Sequence, residues 1–243
     1  MPRILLINPN TTQAVTALAV EHVRRIAGEG AEIVPVTGRF GARYIASRAA
    51  AAVAGHAALD ALAEHGAGCD AVYLACFGDP GLAALKEVSP VPVVGMAEAA
   101  CQVAAEGGRR FGIVTGGALW PAMLTEFVTL LGLRESLSGI RAVAPTGGEI
   151  ARDPDRALAG LAAACRACAA EDGAEAVILG GAGLAGLAAR IQPDVPCPVI
   201  CSVEAGTRAV LAAAGTRVRP TVPPVQSIGL GAGLTRLLAR GPV

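Results

Sequence analysis

Asp70-Ala71-Val72-Tyr73-Leu74-Ala75-Cys76-Phe77-Gly78 and, 105 residues later, Glu175-Ala176-Val177-Ile178-Leu179-Gly180-Gly181-Ala182-Gly183 carry the same pattern. In each, an acidic residue opens an apolar run of strand length that ends in a turn of small residues. Gly81-Leu82-Ala83-Ala84 then falls on Gly186-Leu187-Ala188-Ala189. With one inserted residue, Pro92-Val93-Val94-Gly95-Met96-Ala97-Glu98 falls on Pro198-Val199-Ile200-Cys201-Ser202-Val203-Glu204. The chain is an internal duplication of a strand–turn–helix unit. Two such copies usually pair about a pseudo-two-fold axis, and α/β sheets bind ligands beyond the carboxyl ends of their parallel strands. Cys76 and Gly181 are therefore the positions expected to face each other across a bound molecule.

The rest of the chain alternates in the same way. Strands are expected at Ile4–Ile7, Glu32–Val36, Ala71–Ala75 and Val91–Val94, and again at Phe111–Thr115, Ile140–Ala144, Ala176–Leu179 and Val199–Cys201. Helices fall between them: Thr12–Ala27 closing at Gly28, Ser47–Glu64, Leu82–Glu87, Glu98–Glu106, a helix near Pro121–Leu131, Pro154–Glu171 capped by Asp153, and Glu204–Ala214,. A final helix is expected near Leu230–Leu238 in the tail from Pro220 to Val243. Short apolar runs separated by helices indicate parallel sheets covered on both faces. The fold class is α/β, with two similar Rossmann-like parallel-sheet domains related by a pseudo-two-fold.

Composition narrows the function classes. Of 243 residues 53% are hydrophobic but only 3% aromatic, which suits closely packed helices on sheets. No run approaches the ~20 apolar residues needed to span a bilayer; the alanine-rich stretch Ala49–Ala63 is broken by Gly55, His56 and Asp60. Net charge is zero and the basic residues are scattered, which argues against nucleic acid or a membrane surface as a partner,. The N-terminus runs straight into a strand without a signal pattern. Seven cysteines in no scaffold-like spacing read as reduced thiols in a cytoplasm,.

Cys76 is the leading chemical candidate, because it ends a strand and precedes a glycine-rich turn into a helix. Exposed backbone N–H groups and a helix N-terminus are expected to favour thiolate over thiol there. The inert alternative is a buried structural cysteine.

Three segments then carry a resemblance. Ile4-Leu5-Leu6-Ile7-Asn8-Pro9-Asn10-Thr11-Thr12, Ala75-Cys76-Phe77-Gly78-Asp79-Pro80-Gly81 and Leu179-Gly180-Gly181-Ala182-Gly183-Leu184 resemble landmarks of the hydantoin racemases. These belong to the aspartate/glutamate racemase superfamily, with allantoin racemase, arylmalonate decarboxylase and maleate isomerase. The resemblance covers nearly the whole chain. It implies a first domain of 1–97 plus 205–243 carrying Cys76, and a second of 98–204 carrying Gly181. It also implies a small-molecule substrate, a homo-oligomer, and no metal or organic cofactor. Racemases of this kind invert a carbon acid with two cysteines on opposite faces, one as base and one as acid. By resemblance the first is Cys76 and the second belongs at 181, where this chain has glycine.

Three readings follow: a hydantoin racemase whose second base has been substituted, a one-cysteine enzyme akin to arylmalonate decarboxylase, or a slower relay through water beside Gly181. Allantoin is the next substrate after 5-substituted hydantoins. A non-catalytic small-molecule binding protein is the reading from another class.

An enolate oxyanion needs aimed donors. Candidate substrate contacts are Asn8, the Phe77 and Gly78 amides, Thr115-Gly116-Gly117 and Ala182-Gly183; turn chemistry alone also accounts for them. Phe40, Tyr44 and Trp120 could line a pocket for an apolar substituent or simply pack. Gly181-Ala182-Gly183-Leu184-Ala185-Gly186 formally matches a dinucleotide fingerprint with Glu204 downstream. The short helix after it, and its duplicate around Cys76 lacking the pattern, argue against NAD. Cys165 and Cys168, without a second ligand pair, argue against zinc. His22, His56 and His65 read as helix-surface residues.

Overall fold

A computed structural model describes residues 1–219 and 223–239. The first half runs through strand β1 (Arg3–Asn8), helix α1 (Gln13–Ala27), β2 (Glu32–Thr37), α2 (Arg48–His65), β3 (Ala71–Leu74), α3 (Leu82–Val88), β4 (Val93–Gly95) and α4 (Met96–Ala105). The second runs through β5 (Phe111–Gly116), α5 (Trp120–Leu130), β6 (Leu137–Val143), α6 (Gly147–Arg152), α7 (Pro154–Ala170), β7 (Ala176–Gly180), α8 (Leu187–Ile191), β8 (Val199–Cys201) and α9 (Ser202–Ala213). Helix α10 (Ala232–Leu238) follows. The expected range 205–243 includes residues 220–222 and 240–243, which lie outside the described residues.

Each half contains one four-stranded parallel sheet, ordered β2-β1-β3-β4 and β6-β5-β7-β8. The repeated order is what duplication requires. Strands β3 and β7 are buried at every residue, so both faces of each sheet are covered, as the unbroken apolar runs imply. Gly81 and Gly186, equivalent in the repeat, both adopt left-handed backbone (φ 82° and 78°) where they open α3 and α8,.

The halves share a core. Helix α4 leaves the first sheet to pack on α9 and β7, while α9 packs on β3, β4 and α1. Ile4, Leu6, Tyr73, Phe111, Ile113, Ile178 and Val203 join in one apolar cluster across the junction. The Tyr73 hydroxyl donates to the Val203 carbonyl at 3.3 Å. Helix α10 seats on α2 and buries Leu234 and Leu237, contacts that contribute about 2 kcal/mol apiece. Asp60 of α2 is buried and accepts two hydrogen bonds from Arg39, at 2.8 and 2.6 Å.

Asp153 caps α7 as expected, accepting from Arg156 N–H at 3.4 Å with Pro154 in the first turn. Two elements depart from expectation. Strand β6 starts at Leu137 rather than Ile140, because a register shift at Phe111/Gly112 lets the residues around Gly139 stay paired. Helix α6 was not anticipated: a Thr146/Glu149 capping box starts it despite Gly147 and Gly148,. Among the described residues no helix is long and apolar enough to cross a membrane.

Candidate active site

The carboxyl ends of β1, β3, β5 and β7 converge on one cleft enclosing about 560 Å³, part of it open to solvent. Cys76 lines it from the turn after β3 and Gly181 from the turn after β7. Thus both equivalent turns of the duplication contribute to one cleft. Two aromatic side chains interlock the halves around it. The Phe77 ring lies on Gly180 so closely that no side chain fits there. Reciprocally, Trp120 lies on Gly78, where an added Cβ would be 2.7 Å from the ring. Trp120 Nε1 donates to the Tyr44 hydroxyl at 3.1 Å, and that hydroxyl donates to the Gly116 carbonyl at 3.1 Å. The loop bearing Tyr44 is thereby tied to the far half.

Of the anticipated contacts, Phe77, Thr115, Gly116, Ala182 and Gly183 line the cleft beside Cys76 and Gly181. Thr115 is buried and its hydroxyl donates to the Gly180 carbonyl at 2.9 Å, holding β5 and β7 together at their ends. The amides of Cys76, Phe77, Ala182 and Gly183 have no hydrogen-bond partner among the described residues. The residues themselves line the cleft, so these amides are donors available to a ligand or water,.

Three anticipated residues lie elsewhere. Asn8 is fully buried and directs its side chain to α1, not to the cleft: Nδ2 donates to Asn10 Oδ1 and Thr16 Oγ1, both at 3.0 Å, and Oδ1 accepts from Asn10 N–H at 3.3 Å. Gly78 is turned under Trp120, and Gly117 donates its N–H to the Val143 carbonyl at 3.1 Å. Phe40 packs edge-on against His56, away from the cleft.

Asn10 takes the place expected of Asn8. It lines the cleft, and its Oδ1 accepts from Thr12 N–H at 2.9 Å and from Asn8 Nδ2 at 3.0 Å. A backbone N–H can only donate, so these contacts fix which amide atom is oxygen. Asn10 Nδ2 is left without a partner among the described residues. The Asn-Pro-Asn motif signalled this pair, but not which member faces the cleft. Leu184, the last residue of the third landmark segment, also lines it, as do Val15, Ile45, Gly147 and Gly148, which carried no signal in the sequence. None of the lining residues carries a formal charge.

The surroundings of Cys76 do not favour the expected thiolate. Cys76 is only partly exposed to the cleft, and desolvation there pushes its thiol up to about 12, with the nearby Asp79 carboxylate adding to the effect. Helix α3 starts only at Leu82 and is one short element, so its dipole does not offset the desolvation. Desolvation thus favours the thiol form at Cys76. Next to it, Gly181 adopts φ 133° and ψ 144° and donates its N–H to Ser202 Oγ at 3.1 Å. A Cβ there would meet only Leu184 Cδ1, at 3.4 Å. The cleft is open on that side.

The Asp/Glu/Hydantoin racemase family model matches residues 4–210. The chain is 35% identical over 210 residues to a hydantoin racemase of Paenarthrobacter aurescens, covering 85% of this chain and 88% of that one. It is 33% identical over 208 residues to a hydantoin racemase of Pseudomonas sp. (strain NS671), covering 85% and 83%. Among solved structures, allantoin racemase from Pseudomonas fluorescens superposes with a TM-score of 0.86 at 30% identity, over 93% of this chain and 100% of that one. With a duplicated α/β architecture, equivalent turns meeting at one cleft and a family match over most of its length, the chain belongs to the Asp/Glu/hydantoin racemase family.

Proposed function

We propose that this chain moves a proton at C5 of 5-substituted hydantoins, with Cys76 as the acid–base group. The observation that carries the reading is the shared cleft: one thiol on one turn, a side-chain-free position on the equivalent turn, and no charged residue between them. A neutral ring suits such a cleft. A dicarboxylate would be desolvated there without an opposing charge. Allantoin is itself a hydantoin bearing a polar ureido group at C5. Val15, Ile45, Phe77, Trp120 and Leu184 on the walls favour an apolar substituent.

In the forward step the Cys76 thiolate, formed from a small fraction of the thiol, takes the C5 proton. The C–H pair becomes the C4–C5 enolate double bond, and the carbonyl π pair moves to O4. A thiol raised to about 12 is rarely ionised at neutral pH, yet its thiolate is a correspondingly stronger base. The enolate oxygen meets the Asn10 amide and the free backbone amides of the two turns. Return of the proton from Cys76 restores the starting configuration. Delivery by a water beside Gly181 inverts it, more slowly. The same reading gives a small-molecule substrate and a cytoplasmic homo-oligomer; seven unpaired cysteines support a reducing compartment,.

Loss of optical rotation from one enantiomer of a 5-substituted hydantoin tests the activity. Asn10→Asp keeps the Oδ1 contacts, removes the donor and sets a carboxylate oxygen against the enolate. It is expected to lower kcat by roughly 10²–10³-fold, the usual cost of one oxyanion donor. An unchanged kcat would remove Asn10 from the site.

A further inference from the structure

Asp79 is three residues beyond Cys76, and the family assignment does not account for it. Its carboxylate is 3% exposed and lies between the Cys76 turn and the first turn of α4. There it accepts from the Ala97 N–H at 3.0 Å and the Glu98 N–H at 2.7 Å, capping a helix from outside that helix's own chain segment. Asp79 N–H donates to the Cys76 carbonyl at 3.0 Å, and the Asp79 carbonyl accepts from Leu82 N–H at 3.1 Å. Asp79 is also the one non-glycine residue at positive φ (44°) among the described residues. Aspartate tolerates that conformation better than most residues. Gly95 packs against the carboxylate without a side chain of its own.

The duplication supplies a comparison inside the molecule. The residue equivalent to Asp79 in the second half is Leu184, and among the described residues no side chain from outside α9 caps its first turn as Asp79 caps α4. The carboxylate therefore belongs only to the turn that bears the sulfur. A cap serving helix stability alone would be needed equally by α4 and α9.

We infer that Asp79 is a positioning residue for the proton-transfer reaction: it clamps the Cys76 turn to α4 and holds a buried carboxylate beside the thiol. This rests on the reading of Cys76 as the acid–base group. The groups facing Asp79 are few: Glu98 and Cys101 of α4, Lys86 of α3, Tyr73 of β3, and Cys76 itself. Lys86 is paired with Glu98 and only weakly offsets the carboxylate. Burial holds Asp79 up to about 7, against the pull of the Ala97 and Glu98 amides. Below that pH Asp79 is neutral and Cys76 ionises more readily. Above it the carboxylate opposes a second negative charge nearby.

The test is the rate at which iodoacetamide alkylates Cys76 in the full chain as a function of pH, read residue by residue from peptide masses. In the unsubstituted protein the logarithm of the rate should rise with pH, flatten near pH 7 as Asp79 charges, and rise again. In Asp79→Asn, which retains the shape and tolerates the backbone conformation, the flattening should vanish. The two profiles should coincide well below pH 7, and above about pH 8, where Asp79 is charged, Asp79→Asn should be alkylated faster, by roughly tenfold if the carboxylate raises the thiol by about one pH unit. Loss of the cap alone would lower Tm and leave the profile in place. An unchanged profile in folded Asp79→Asn overturns the inference. Should that variant not fold, an unbroken slope in the unsubstituted protein overturns it equally. Alkylation that goes to completion at Cys76 without stopping hydantoin turnover would instead count against Cys76, a separate failure.

Discussion

Cys76→Ser is expected to abolish proton exchange at C5 of a hydantoin substrate, by at least about 10²–10⁴-fold, the range contributed by one acid–base group. The side chains differ by one atom and Cys76 makes no side-chain hydrogen bond among the described residues, so folding should hold and Tm should change little. A serine hydroxyl is a far weaker acid than a thiol even when the thiol is raised to about 12. It cannot supply the base. Isotope exchange followed by NMR, with a thermal melt alongside, checks both halves of the prediction. Residual exchange at the original rate would mean that the sulfur is a bystander and that another group, or water alone, moves the proton.

Gly181→Cys is expected to act in the opposite direction. A second thiol opposite the first would supply the proton donor that inversion now lacks, raising racemisation by about 10²–10⁴-fold. Space permits it, since an added Cβ touches only Leu184 Cδ1 at 3.4 Å. Backbone conformation does not favour it: at φ 133° a side chain is strained, by about 1–3 kcal/mol. The variant should therefore melt several degrees lower, at roughly 2–4 °C per kcal/mol for a chain of this length. Chiral chromatography of the product gives the rate. A folded Gly181→Cys variant that racemises no faster would show that position 181 is not the opposite face.

Much of this arrangement was legible before any coordinates. The offset between Asp70–Gly78 and Glu175–Gly183 specifies a duplication, and duplication with parallel strands specifies where equivalent turns meet. Burial was not legible at that resolution. Alternation along β1 and the turn at Pro9 decide that Asn8 faces Thr16 while Asn10 faces the cleft. A strand-end motif says nothing of the desolvation at Cys76, which outweighs the turn amides. Helix α6 escaped notice because two glycines sit inside its capping box. Strand β6 began early because its extra residues pair through a bulge, a tertiary event with no local signature. Tyr44 and Trp120 could be named as pocket or core; only their mutual hydrogen bond to Gly116 shows that they also bind the halves together.

Deuterium uptake tests the single-sulfur geometry most directly. Each enantiomer of 5-benzylhydantoin is incubated with the protein in D2O, and deuterium at C5 is measured in the recovered substrate and in its mirror image. The account predicts that one enantiomer, the one whose C5 proton faces Cys76, gains deuterium with its configuration kept, well before it inverts. Deuterium appearing only in the inverted product, at equal rates from both enantiomers, would require two opposed bases and would contradict it.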